Sequence, residues 1–269
     1  GNLFTTQEDV ELKVSKKRVG KVFVKKPSLE KEEPAGNDKD KTKRAVLSDP
    51  YLFHLGVTTK EGELIPKMAD KYRQINKYLE IFDSLWLKSN KIELPHVVDM
   101  GSGKGYLTFA LYDYLNNKLG VKALVTGVEL RSDLVSYCND VASKCGFENL
   151  KFEEKRIEEL EGVQIDVLIA LHACDTATDD AISKGILSNS SIIICAPCCH
   201  KQIRQQLKGT ESPNPLLKYG IFKERQFEMV TDTIRALTLE KNQYKTKVFE
   251  FVSNEHTRKN VMLVGTKTG

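Results

Sequence analysis

An α/β fold is predicted by three features of this sequence: a doubly wound, mostly parallel sheet closed by an antiparallel C-terminal hairpin strand. Apolar strand-like runs alternate with helix-like periodic runs from His96 to Cys195. The run VVDMGSGKGYLT sets Gly101, Gly103 and Gly105 between a β-branched strand and a helix, the mark of a buried strand turning sharply. Last, YKTKVFEFV and NVMLVGTK are joined by too few residues for a crossover helix, so they pair antiparallel.

Taken in order, VELKV and GKVFVKK read as two short strands around the turn at Lys17-Arg18-Val19-Gly20. From Pro27 to Arg44 the chain is charged and nearly free of large apolar residues, as a solvated linker should be. Residues 1–44 are therefore expected to be a small basic N-terminal appendage, and 45–269 the α/β domain. From Ala45 the pattern turns helical. Met68, Tyr72, Ile75, Leu79, Phe82 and Leu85 recur at helical spacing, with Lys71, Arg73, Lys77 and Glu80 on the other face. HVVDM then reads as a strand, YLTFALYDYLNNKL as a helix, ALVTGVEL as a strand and SDLVSYCNDVASKCG as a helix ending at Gly146. LKFEEK and VQIDVLIALHA follow as strands, DTATDDAISKGILS as a helix and SIIICAP as a strand. Such alternation calls for right-handed crossovers covering both sheet faces.

Composition narrows the class. The chain has 269 residues, 40% hydrophobic, with a mean hydropathy of −0.37. It lacks any apolar run near ~18 residues and any basic-then-apolar leader, so a cytoplasmic protein is expected, with no membrane partner. A formal charge of +4 does not demand nucleic acid, although a pI near 8.6 leans that way. All six cysteines fall between Cys138 and Cys199, which suits reduced thiols better than a disulfide framework.

The glycine run is acid-G-x-G-x-G, its third glycine one residue earlier than in a dinucleotide fingerprint. That form, with the antiparallel closing strand, resembles the first motif of Rossmann-type methyltransferases that use S-adenosyl-L-methionine (AdoMet). Asp99 ends the strand before the turn, within reach of the cofactor's amino group. Gly101, Ser102, Gly103, Gly105 and Tyr106 form the turn and helix start. Glu129 ends the next strand, placed to accept ribose hydroxyls, with Leu130 beside it. The adenine is expected against the loop of Lys155, Arg156 and Ile157, where no aspartate presents itself for the adenine amine. Leu171 and His172 lie at the following strand tip, where the methyl group would be presented.

The tip residues Leu171-His172-Ala173-Cys174-Asp175 lack the Asn/Asp-Pro-Pro-aromatic run of exocyclic-amine methylation. Cys174 and Cys198 do not match the setting of a pyrimidine-C5 thiolate. Cys195, Cys198, Cys199 and His200 have spacings that could hold Zn²⁺ or an iron–sulfur cluster. Cys195 lies inside a strand, however, and there is no second CxxC, so a pocket wall is the preferred reading and no metal is expected. His172 and His200 are candidate general bases or phosphate contacts.

GSGKGYLT, LHACDTATDDAI and APCCHKQ, with KYRQINKYLE upstream and DTIRALTLE and EHTRKN downstream, resemble one family. It holds the methyltransferase-like twenty-five proteins, bacterial relatives described as rRNA or class I AdoMet methyltransferases, and tRNA 2′-O-methyltransferases with a Cys-Cys-His motif. The resemblance implies RNA (rRNA or tRNA) as acceptor. For a 2′-hydroxyl, a base or cation must assist. Some 2′-O enzymes use a Lys-Asp-Lys-Glu set, to which Lys71, Asp175, Lys201 and Glu250 or Glu255 correspond in place. Lys71, Arg73 and Lys77, and an N-terminal stretch with 12 Lys/Arg against 9 Asp/Glu in residues 1–50, could grip RNA, and Thr257–Asn260 could add a backbone contact. A small-molecule or protein methyltransferase and a catalytically silent AdoMet-binding module are the alternatives.

Overall fold

The computed structural model describes residues 2–4, 8–14, 20–26, 43–89, 92–157, 159–160, 162–171, 173, 175–197, 200–206, 215–251 and 261–268. The chain divides into two compact units, Gly1–Lys43 and Arg44–Gly269. In the first, three strands rather than the expected two form an antiparallel meander: β1 (Asn2–Phe4), β2 (Asp9–Val14) and β3 (Gly20–Lys25). The register pairs Val10 with Val24 and Leu12 with Val22, so these four share one face and Glu11, Lys13, Lys21 and Phe23 the other.

The second unit opens with a short helix α1 (Pro50–His54), then turns at Gly56 and Gly62 before the long helix α2 (Ala69–Trp86). The helical pattern expected from Ala45 thus becomes two helices, with the expected amphipathic one at Ala69–Trp86. Lys118 Nζ donates to Asp49 at 2.7 Å and Arg44 Nη2 to Asp83 at 2.7 Å, which fastens this segment to the domain. Tyr72, Ile75, Leu79, Phe82 and Leu85 of α2 are buried, as their spacing predicts.

The strands β4 (His96–Met100), β5 (Leu124–Glu129), β6 (Leu150–Glu154), β7 (Val167–Ala170), β8 (Ile192–Cys195), β9 (Tyr244–Glu250) and β10 (Val261–Lys267) form one sheet. Their order is β6-β5-β4-β7-β8-β10-β9. The first five strands are parallel, and β10 lies antiparallel to both β8 and β9. β7 and β8 are buried throughout, because helices cover both faces. Val167 and Ile169 join one core with α2, α3 (Tyr106–Tyr112) and α4 (Ser132–Cys145). Leu168 and Ala170 join the other with α5 (Thr176–Leu187) and α7 (Gly220–Lys241). A short helix α6 (Lys201–Gln206) follows β8, and α3 runs on into a π turn over Asp113–Lys118. Among the described residues, no helix is long and apolar enough to cross a membrane.

Chain order runs outward from β4 through β5 to β6, then returns to β7 on the opposite side of β4. The carboxyl end of β4 therefore lies at the switch point, where open parallel sheets bind ligands.

Candidate active site

A cavity of about 700 Å³ opens at that switch point, a size within the usual range for small-molecule sites. Its floor is the glycine turn after β4. Gly101, Gly103 and Gly105 all have φ between +57° and +73°, a region costly to side chains with a Cβ. Gly101 N–H and Ser102 N–H donate to Val128 O at 2.8 and 3.0 Å, so the turn is held against the end of β5. Gly105 caps α3, and Tyr106 and Leu107 at its first turn line the cavity.

Two carboxylates face this space in different surroundings. Glu129 Oε2 accepts from Gly103 N–H at 2.9 Å, while Oε1 accepts from the Leu130 and Arg131 N–H groups at 3.0 and 3.2 Å. The carboxylate is thus fixed before any ligand arrives, and Oε2 keeps a lone pair for one more donor. Asp99 is buried with a single bond, from Thr108 Oγ1 at 2.5 Å. Burial pushes its carboxyl up to about 7, the Glu129 charge adds to the rise, and the Thr108 hydroxyl opposes it. A cation placed beside Asp99 would return it to the ionised form.

These residues fit AdoMet. AdoMet would bring an ammonium and ribose hydroxyls, donors that carboxylates in the positions of Asp99 and Glu129 could accept. Ser102 Oγ, buried at the cavity wall without a hydrogen-bond partner among the described residues, is a polar atom that a ligand can satisfy. Gly127, opposite, permits this closeness: a Cβ there would overlap the Phe152 ring and lie 3.0 Å from Ser102 Oγ.

The cavity also takes in Leu130 after β5, Arg156 and Ile157 after β6, and Leu171 after β7. Lys71 reaches it from α2, its Nζ donating to Gln74 Oε1 at 2.6 Å and lying 5.3 Å from the centre of the Tyr106 ring. Burial lowers the pKa of that ammonium. Lining residues that sequence reasoning did not assign are Lys104, Leu107, Val128, Arg131, Ala173, Ala177 and Asp180. Asp180 lies in the second turn of α5, a position that no glycine or strand end marks.

Asp175, His200 and Glu250 are not among the residues that line the cavity. Asp175 holds φ 60°, ψ −124°, and its two carboxylate oxygens accept from Gln202 N–H at 3.1 and 3.0 Å, capping α6. His200 is buried, with Nε2 3.3 Å from Asp232 Oδ1. Lys201 begins α6. Glu250 is exposed on the edge strand β9, four strand positions from β4, roughly 19 Å at the usual strand spacing. The four-residue Lys-Asp-Lys-Glu set is therefore not gathered at the cavity through Glu250. His172, Cys174, Cys198, Cys199, Glu255 and Thr257–Asn260 lie outside the described residues. Cys195 is buried within β8, where desolvation pushes its thiol up to about 12. Among the described residues, no group of three or more metal-ligating side chains comes together.

Residues 70–206 match a family described as a methyltransferase domain. The human "glutathione S-transferase C-terminal domain-containing protein" is 26% identical over 161 residues, 60% of this chain and 24% of that protein. The chain thus spans about a quarter of the length of that curated relative. Among solved structures, the fibrillarin pre-rRNA processing protein of Methanococcus jannaschii aligns at 13% identity with a TM-score of 0.46, covering 76% of this chain and 77% of its own. A ribosomal protein L11 methylase from Lactobacillus delbrueckii aligns at 12% identity and a TM-score of 0.46, covering 73% and 80%.

Proposed function

Because this chain belongs to the methyltransferase domain family, we propose that it binds AdoMet at the switch-point cavity and methylates RNA (rRNA or tRNA), with a ribose 2′-hydroxyl as the acceptor. The observation that carries the choice of RNA is the charge of the cavity wall. Lys71, Lys104, Arg131, Lys155 and Arg156 line it against Asp99, Glu129 and Asp180. A wall with five basic side chains against three acidic ones suits an anionic polymer. Arg73 and Lys77, the other candidate RNA contacts on α2, are paired on their own helix with Asp70 and Glu80, so they contribute less.

The bound cofactor supplies a methyl group already activated on sulfonium. The protein's part is to orient and to move a proton. Asp99 fixes the cofactor's ammonium, and Glu129, preset by Gly103 N–H, fixes its ribose. Leu171 and Ala173, past the end of β7, form the wall on the side where β7 and β8 present their tips. A 2′-hydroxyl entering there needs a group to take its proton. Of the expected bases, Lys71 lines the cavity, with an ammonium whose pKa burial lowers, whereas His200 is buried away from its wall.

Mass spectrometry of nucleosides from total rRNA and tRNA of a deletion strain tests this reading. Loss of one 2′-O-methylated nucleoside is expected. An unchanged inventory of methylated nucleosides overturns the RNA assignment and returns the small-molecule and protein acceptors.

A further inference from the structure

Among the described residues, three carboxylates line the cofactor cavity: Asp99, Glu129 and Asp180. The first two stand at the carboxyl ends of β4 and β5, beside the glycine turn. Asp180 comes from a different element. It lies on α5, where Ala177, Asp180 and Ala181 share one helix face by their three- and four-residue spacing. Its neighbour Asp179 turns away and accepts from Arg235 Nε at 2.7 Å, whereas Asp180, half-buried, faces the cavity.

The wall around Asp180 is apolar. Ile157, after β6, and Ala177 both pack against the buried cluster that holds Val128, Ala173 and Ala181. Val128, Ile157, Ala173 and Ala177 all reach the cavity, and the two alanines present only methyl groups, which suits a flat heteroaromatic ring. The loop after β6, where the adenine is expected, has its described acids engaged elsewhere. Glu159 Oε2 accepts from Arg156 N–H at 2.9 Å, and Glu153 is paired with Lys151 and Lys155. Neither lines the cavity.

AdoMet carries three sets of hydrogen-bond donors: its ammonium, its ribose hydroxyls and the 6-amino group of adenine. With Asp99 on the ammonium and Glu129 on the ribose, the amino group is the donor left over. Enclosed in an apolar slot without an acceptor, an N–H group weakens binding. We propose that Asp180 is the specificity residue for the adenine ring: its carboxylate accepts a hydrogen bond from the 6-amino group, while Ile157, Ala173 and Ala177 form the apolar wall for the ring. The proposal rests on the reading of Asp99 and Glu129 as the partners of the ammonium and the ribose, and it moves the adenine acid from the loop after β6 to α5.

The test is titration calorimetry on the purified chain with two ligands, S-adenosylhomocysteine and its analogue bearing hydrogen in place of the 6-amino group. Wild type should bind the first about tenfold more tightly, because a site built to bond an N–H rejects a ligand that lacks it. Asp180→Ala should bind the two alike. Asp180→Asn, which keeps a neutral acceptor, should show an intermediate preference. Glu129→Ala should weaken both ligands by the same factor and keep the preference. A wild type that binds the two equally overturns the proposal whether or not any variant folds, and so does a folded Asp180→Ala with the wild-type preference. If wild type binds neither ligand, the cofactor seat fails and the proposal with it. If Glu129→Ala binds both as wild type does, Glu129 leaves the site, and the amine preference still decides the role of Asp180.

Discussion

Binding of AdoMet should expel a proton from Asp99. The carboxyl titrates at about 7 in the free protein, chiefly because it is buried. Roughly nine-tenths of it is therefore protonated at pH 6 and roughly half at pH 7. The cofactor's ammonium favours the anion, so binding should release roughly 0.9 proton at pH 6 and roughly 0.5 at pH 7. The cofactor's own amino group, titrating near ~7.7–8.0, stays charged across this window. Titration calorimetry in two buffers of different ionisation enthalpy counts the protons. Asp99→Asn should release almost none and bind more weakly. Equal apparent enthalpies in both buffers at pH 6 would refute the reasoning, since Asp99 would then be ionised already or remote from the ammonium.

The same shift sets a stability trend. A carboxyl whose folded pKa lies above its unfolded value favours the folded state while protonated, so that advantage is lost as pH rises from about 4 to about 7. The change amounts to roughly 4 kcal/mol for one buried group. Denaturant melts should therefore show Asp99→Asn gaining on wild type across that interval, and a constant difference would contradict it. Glu129→Ala should weaken AdoMet by roughly 1.5–3 kcal/mol, because charge-assisted bonds are lost and Gly103 N–H is left without its acceptor; calorimetry giving wild-type affinity would remove Glu129 from the site. Gly127→Ala should cost roughly 1–3 kcal/mol in urea melts, since the added methyl meets the Phe152 ring, and an unchanged midpoint would mean the ring moves freely. Lys71→Met should keep or raise the melting temperature, because burial penalises the ammonium, yet lower methyl transfer about tenfold; full transfer would reduce Lys71 to a wall residue.

The sheet was readable because its signals are local. β7 and β8 are unbroken apolar runs, and the glycine turn is written in consecutive residues. Helix α7 was not readable, because its burial runs against hydropathy. Ile221, Phe222, Met229, Ile234 and Leu237 are exposed, while Asp232 and Arg235 are buried. No 3.6-residue apolar stripe survives that inversion, and the burial follows from the ion pair of Arg235 with Asp179 and the contact of Asp232 with His200 on other elements. Asp99 and Glu129 were legible as strand-end acids, although the burial of the one and the three backbone N–H groups around the other were not. The distance of Glu250 from the cavity follows from strand order, which local sequence does not encode: β10 intervenes between β8 and β9.

The central claim is methyl transfer from AdoMet to RNA, and it is tested most directly with the purified chain, tritiated AdoMet and total RNA from cells lacking the gene. Label that becomes acid-soluble on ribonuclease treatment, resists protease and disappears with Glu129→Ala at limiting cofactor is the result expected. Label that follows protein or a small molecule, or no label despite measurable AdoMet binding, would contradict it.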